Sequence, residues 1–364
     1  MHMTMSRQYK NLNNSNSLKF LSLSRKISFT DEMQTYLSSE ISLLESLNSI
    51  GKHSQDIVIK DICKNLKKAI ESGLTFAQSI TKYYEKAFGK TYISIIRAGE
   101  DSGELDSAMK RLLALLKKQD TIKRKVISAS THPAITFFLL FLIMIVYSKF
   151  VFPKFYEHIS DSIDILPTTT KVLIAAANFI GNFWWLIILL FVAAIFGAVW
   201  LFKIPKAKMV FDNIILKIPF VKEFIKYINL SNFMAVLHVS YESGLPLTNG
   251  IELACETIGN HTMKAKINKS VILLKQGKTL SESLNSTGVV PNITISTIAA
   301  GEESGSLGKK FLDATNVLDK KVDTALETLT KLLEPTLILV LGVVIAFVAI
   351  ACIQAYFEIN FAIL

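Results

Sequence analysis

The sequence predicts an all-α, polytopic membrane protein with two homologous cytoplasmic helical-bundle repeats and three transmembrane helices. Three observations carry this. Apolar runs are long enough to cross a bilayer, the chain repeats itself at an interval of about 200 residues, and no segment shows the alternation of a strand. Apolar residues supply 50% of the 364 positions and charged ones only 19%. With a mean hydropathy of +0.38, this excludes a disordered chain. The net charge of +10 is expected in the parts that meet water. Cys63, Cys255 and Cys352 are far apart and form no CxxC, which supports neither a disulfide framework nor a zinc site.

Residues 1–28 carry Arg7, Lys10, Lys19, Arg25 and Lys26 among Asn and Ser. With no apolar centre, they read as a flexible N-terminal arm and not as a signal peptide. Residues 29–132 form the first helical repeat. In it Leu105, Met109, Leu112, Leu113 and Leu116 recur at helical steps, and Gly51, Gly73, Gly99 and Gly103 mark turns between short helices.

The first span is 133–152, whose only charge, Lys149, lies near one end where its stem can reach the interface. An extracytoplasmic loop at 153–171 leads to the second span, 172–202. Its start is diluted by Asn178, Gly181 and Asn182, so the hydrocarbon part is placed from Phe183, with Trp184 and Trp185 at the boundary. Gly181, Gly197 and Gly342 offer places for close helix packing. Residues 203–334 form the second repeat, 335–357 the third span and 358–364 an extracytoplasmic tail.

Orientation follows from basic residues. Segment 1–132 holds 21 Lys and Arg against 13 acids, and 203–334 holds 16 against 13, whereas 153–171 has only Lys154 and Lys171 against three acids. Both repeats and the N-terminus are therefore expected in the cytoplasm and the C-terminus outside. Basic residues flanking the spans favour contact with anionic lipid; nucleic acid is not an expected ligand.

The repeat is explicit. Arg97-Ala-Gly-Glu-Asp-Ser-Gly-Glu-Leu105 returns as Ala299-Ala-Gly-Glu-Glu-Ser-Gly-Ser-Leu307, an offset of 202 that also carries Pro133 onto Pro335, each at the entry to a span. Further upstream the offset is 204, carrying Phe29 onto Phe233 and Gly73-Leu-Thr75 onto Gly277-Lys-Thr279. The motif residues Gly99, Glu100, Asp101, Ser102 and Gly103, with Gly301, Glu302, Glu303, Ser304 and Gly305, are the candidate site.

Two readings apply to it. In one, the glycines permit a turn, Ser102 or Ser304 caps the following helix, and the acids face the positive end of its dipole. In the other, Glu100 with Asp101, and Glu302 with Glu303, stand on an exposed turn and bind a partner's basic patch or a metal ion.

Catalytic signatures are missing. Gly89-Lys90-Thr91 and Gly277-Lys278-Thr279 resemble the end of a phosphate loop, but Tyr84 and Ile272 stand where its first glycine is required. No two histidines have the spacing of a metalloprotease helix, and Gly-x-Ser-x-Gly does not occur. Neither a cofactor nor an enzymatic activity is expected. A small membrane transporter or channel subunit is the alternative, although the spans lack acids or bases at their centres.

Two helical repeats, three spans, Gly-Glu-x-Ser-Gly-x-Leu in both copies, Ser243-Gly-Leu-Pro-Leu247, His132-Pro133 and Glu334-Pro335 together resemble one family. It is the inner-membrane platform proteins of type II secretion and type IV pilus systems, general secretion pathway protein F and pilus assembly protein C. The likeness runs from about Phe29 to Phe357 and spans secretion, pilus and DNA-uptake machines. It implies a multi-pass, self-associating scaffold in a bacterial inner membrane, with its C-terminus periplasmic. The implied partners are an assembly ATPase, other inner-membrane assembly proteins, and pilins or pseudopilins. The first copy departs from the pattern: Ser39-Glu40-Ile41-Ser42-Leu43 replaces Ser-Gly-Leu-Pro-Leu and loses both turn-forming residues.

Overall fold

A computed structural model describes residues 21–151, 153, 168–201 and 205–363. The first 20 residues of the expected arm, most of the expected loop (154–167) and the last residue lie outside these. All regular structure among the described residues is helical. In the first copy the helices are α1 (Leu23–Ser38), α2 (Leu43–His53), α3 (Ile57–Glu71), α4 (Phe76–Phe88), α5 (Lys90–Asp101) and α6 (Leu105–Val146), followed by a π-type stretch at Tyr147–Val151. Then come α7 (Thr168–Leu201), α8 (Pro205–Ile215) and the second copy: α9 (Val221–Glu242), α10 (Leu247–Glu256), α11 (His261–Lys275), α12 (Leu280–Asn285), α13 (Asn292–Glu303) and α14 (Leu307–Ile363). The first helix begins inside the stretch read as an arm.

Helix ends follow local chemistry. Ser22, Ser42, Asp56 and Thr75 accept side-chain bonds from the first turns of α1 to α4, and Asn260 and Thr279 do the same for α11 and α12. Such caps are worth about 1 kcal/mol each. Thr75 and Gln78 complete a reciprocal capping box. Gly73 and Gly277, at φ +96° and +88°, follow α3 and α11 in the left-handed region.

Packing divides the chain into two units. One comprises residues up to Arg124 together with Lys222–Asp323; the other comprises Lys125–Val221 with Thr324–Leu364. Residues 133 and 335 lie within α6 and α14, so Pro133 and Pro335 occupy helix interiors. There their rings remove one main-chain donor each.

The first unit holds the helices of both copies, and their buried cores repeat. Phe29 and Phe233, Leu47 and Ile251, Ile59 and Met263, Phe76 and Leu280, and Ile96 and Ile298 are buried at equivalent positions. The copies share a contact face as well, since α5 packs on α10. Arg111 Nη1 donates to the Glu242 carbonyl at 2.7 Å, and Lys118 Nζ lies 3.1 Å from Asp319. Burial lowers the Lys118 pKa, an effect that Asp319 partly opposes.

Core detail differs between copies. Thr30 and Tyr92 share a buried hydrogen bond of 3.0 Å, whereas Met234 and Thr294 stand at the matching places and the Thr294 hydroxyl has no partner among the described residues.

In the second unit Leu173, Ala177 and Ala351 form a small buried cluster with Tyr147 and Val348 against it. Thr170 Oγ1 donates to the Ala351 carbonyl at 2.9 Å. Large apolar side chains face outward, among them Phe138, Ile143, Phe150, Leu190, Phe196 and Leu339. The helix Leu105–Phe150 and the segment Thr168–Leu190 are long and apolar enough to cross a membrane. Only 6% and 11% of their most apolar windows are buried, which is the opposite of a soluble core helix. A shorter apolar stretch runs from Ile338 to Gln354.

Lys149 Nζ sits 5.3 Å from the centre of the Trp184 ring, a pairing suited to an interface. The helix α7 is interrupted at Phe183 by a non-helical ψ of 17°. Of the three glycines expected at close contacts, Gly181 meets Ser148, while Gly197 and Gly342 face open space.

Candidate functional site

The repeated motif straddles the end of one helix and the start of the next. Gly99 lies in α5 where a Cβ would come within 2.3 Å of Ala108 Cβ on α6. Gly301 in α13 is the equivalent, 2.9 Å from Lys310 Cβ on α14. The first glycine of each motif is therefore required for close approach of two successive helices. The second, Gly103 at φ +75° and Gly305 at φ +65°, supplies the left-handed residue that ends the helix. Ser102 and Ser304 are the C-cap residues of α5 and α13. Their hydroxyls bond back to the carbonyls of Gly99 and Ala300, at 3.3 and 2.6 Å. This corrects the expectation that they cap the helix that follows.

The glutamates do something that spacing does not show. Glu100 accepts from the Phe76 and Ala77 amides, at 2.6 and 3.0 Å, which open α4 more than 20 residues upstream. Thr75 Oγ1 accepts from the next amide, Gln78, at 3.2 Å. With the Thr75 amide donating to Gln78 Oε1 at 3.1 Å, all four unsatisfied N–H groups at that helix start are closed, two of them by a carboxylate placed at the positive end of its dipole. The second copy repeats the device: Glu302 accepts from the Leu280 amide and from Ser281, whose N–H lies 3.1 Å away, and Thr279 takes the amide of Glu282. Glycine, glutamate, serine and glycine together form a clamp that joins α5 to α4 and α6, and α13 to α12 and α14.

The acids consequently do not share one exposed turn. Glu100 and Glu302 are half-buried and committed to amides, while Asp101 and Glu303 remain exposed. Among the described residues no three His, Cys, Asp or Glu groups gather to hold a metal. Burial pushes the thiols of Cys63 and Cys255 up to about 12, which keeps them protonated and unreactive. Gly277-Lys278-Thr279 serves as the turn and cap before α12.

The sequence contained a signal for the clamp, because Thr75-x-x-Gln78 and Thr279-x-x-Glu282 mark helix starts at the same place in both copies. Which distant carboxylate completes them is a tertiary fact.

The family description "Type II secretion system (T2SS), protein F" matches residues 29–153 and 233–354, one match for each copy and its following apolar stretch. The chain belongs to this family. It is similar to the type IV pilus assembly protein PilC of Thermus thermophilus, with 27% identity over 334 residues covering 91% of this chain and 81% of that protein. The type IV pilus assembly protein PilC of Pseudomonas aeruginosa is also 27% identical, covering 91% and 89%. The type II secretion system protein F of Aeromonas hydrophila is 22% identical, covering 91% and 85%. Membership of the protein F family gives the double clamp a setting: each copy stands before an apolar helix, and the clamp fixes the start of that helix against its own bundle.

Proposed function

We propose that this chain is a non-enzymatic platform in a bacterial inner membrane, serving a type II secretion or type IV pilus machine. In this reading it self-associates and couples a cytoplasmic assembly ATPase to the addition of pilin or pseudopilin subunits. Both copies lie in the cytoplasm; the chain crosses at 133–152, 172–202 and 335–357 and ends in the periplasm. The observation that carries the reading is the duplicated clamp at the head of α6 and of α14, within a chain matched along 91% of its length to proteins named for pilus assembly and secretion. A scaffold needs the first turns of each long helix held to its own bundle, and the clamp supports this reading.

Asp101 and Glu303 are the motif acids left for a partner. The reversal Asp101→Lys with Glu303→Lys is expected to abolish copurification of the ATPase and filament assembly while membrane insertion and melting temperature stay unchanged. Normal assembly in that variant removes the partner role and leaves the motif structural. Reversal of Glu302 does not serve as this test, because it strips the cap from α12. Reporter fusions placing the two copies on opposite sides of the membrane would overturn the proposal as a whole.

A further inference from the structure

We infer that the groove between α2 and α3 is a docking surface for an acidic helical segment of a protein partner. The groove encloses about 370 Å³ and is lined by Lys52, Lys60, Lys64, Lys67 and Lys68 with one carboxylate, Glu71. Its floor includes Leu47, Gly51 and the buried Cys63. Lys60, Lys64 and Lys68 stand at i, i+4 and i+8 on one face of α3, all exposed and without an ion pair among the described residues. Lys67 is partly held, bonding Asn48 Oδ1 at 3.1 Å and lying 3.8 Å from Glu71. Like charges at this spacing repel and weaken a helix, so the stripe opposes the fold that displays it.

The second copy shows that the fold does not need it. At the positions 204 residues on, Glu256 stands for Lys52, Asn268 for Lys64, Val271 for Lys67 and Ile272 for Lys68, with only Lys264 retained. Lys275 there pairs with Glu252. The same scaffold thus carries a concentrated positive charge in one copy and a mixed face in the other.

The chemistry selects the occupant. Every cation is a lysine, which attracts without the planar fork by which arginine grips phosphate or a single carboxylate. The amides that open α3 are not available as an anion cradle, since the Asp56 carboxylate accepts from Val58 at 2.9 Å. Three ammonium groups at successive turns span about 12 Å, the distance over which a partner helix sets carboxylates at i, i+4 and i+8. The lysines line a concavity, a shape that a flat bilayer does not follow. The inference goes beyond the platform reading and does not depend on the partner being the ATPase.

The test uses the full chain in zwitterionic nanodiscs and a fluorescent alanine-based helical peptide with glutamates at i, i+4 and i+8. Saturable, salt-sensitive binding is expected, weakened about tenfold or more by Lys60→Glu, Lys64→Glu and Lys68→Glu together. The neutral set Lys60→Gln, Lys64→Gln and Lys68→Gln, which relieves the repulsion on α3, is expected to lose binding with the fold retained. Lys266→Glu, Lys269→Glu and Lys278→Glu, exposed in the second copy, are expected to leave it within about twofold. Equal loss in the first-copy and second-copy sets would reduce the effect to net charge and overturn the inference. So would undiminished binding in the glutamine set, or binding to phosphatidylglycerol vesicles in preference to the peptide.

Discussion

Glu40 holds φ +60° where the second copy has Gly244 at φ +78°. The turn is kept although the Ser-Gly-Leu-Pro-Leu pattern is not, at the cost of a side chain in the left-handed region, and Ser42 caps α2 where Pro246 opens α10. Replacing Glu40 by Gly is expected to stabilise the protein by about 0.5–1 kcal/mol, the strain relieved less the added freedom of the unfolded chain, read as a higher melting temperature in detergent. Gly99→Ala is the converse case. The new methyl collides with Ala108, and a loss of about 1–3 kcal/mol is expected, with Ala108→Gly in the same chain restoring most of it. At this scale the sequence was legible where the rule is local, as for Gly103 and Gly305. It was silent where the neighbour is remote, as for Gly99 against Ala108, and misleading at Glu40, because composition does not reveal a tolerated left-handed residue.

Helices α3 and α11 are equivalent and are opened by different caps, Asp56 and Asn260. Arg25 Nε lies 2.6 Å from Asp56 Oδ2. Burial pushes the Asp56 pKa up, but the bonds from Arg25 and from the Val58 and Ile59 amides outweigh it and hold the carboxyl below its usual value. A group whose folded pKa is depressed adds stability that is present above the unfolded value and lost as pH falls through the folded one. Asp56→Asn is therefore expected to keep the cap, as Asn260 does, to change stability at neutral pH by less than about 1 kcal/mol, and to flatten the acid limb of the stability curve. The shift of the repeat offset from 204 to 202 also belongs to this scale. It falls between α4, with 13 residues, and its counterpart α12, with 6, and the α5/α13 pair already obeys the shorter offset. Helix order and most starts were readable from caps and glycines. The packing partners of each helix were not, since two faces of equal periodicity do not say which neighbour they meet.

Two copies of a motif predict two helical repeats, and the molecule holds both repeats in one packing unit, with the membrane-type helices in another. Lys118 and Asp319 join the copies across that shared face with side chains 19% and 35% exposed. Asp319→Asn leaves the ammonium in its half-desolvated position and is expected to cost roughly 1–2 kcal/mol, less than a fully buried pair because water still reaches both groups. A cycle with Lys118→Met measures the coupling; additive losses would show that the pair does not hold the copies together. Duplication and apolar runs were visible in the sequence because they are periodic. The union of the copies was not, because it rests on a few pairs such as Lys118 with Asp319 that no spacing rule connects.

The clamps also provide a built-in gauge. Amide hydrogens at the front of a helix ordinarily trade with solvent deuterium sooner than those behind them, yet Phe76, Ala77 and Leu280 each have theirs tied to a carboxylate. Slow isotope uptake at Phe76 and Ala77 reports on one half of the chain and at Leu280 on the other, so the moment at which either half loosens can be timed without attaching any probe to the protein.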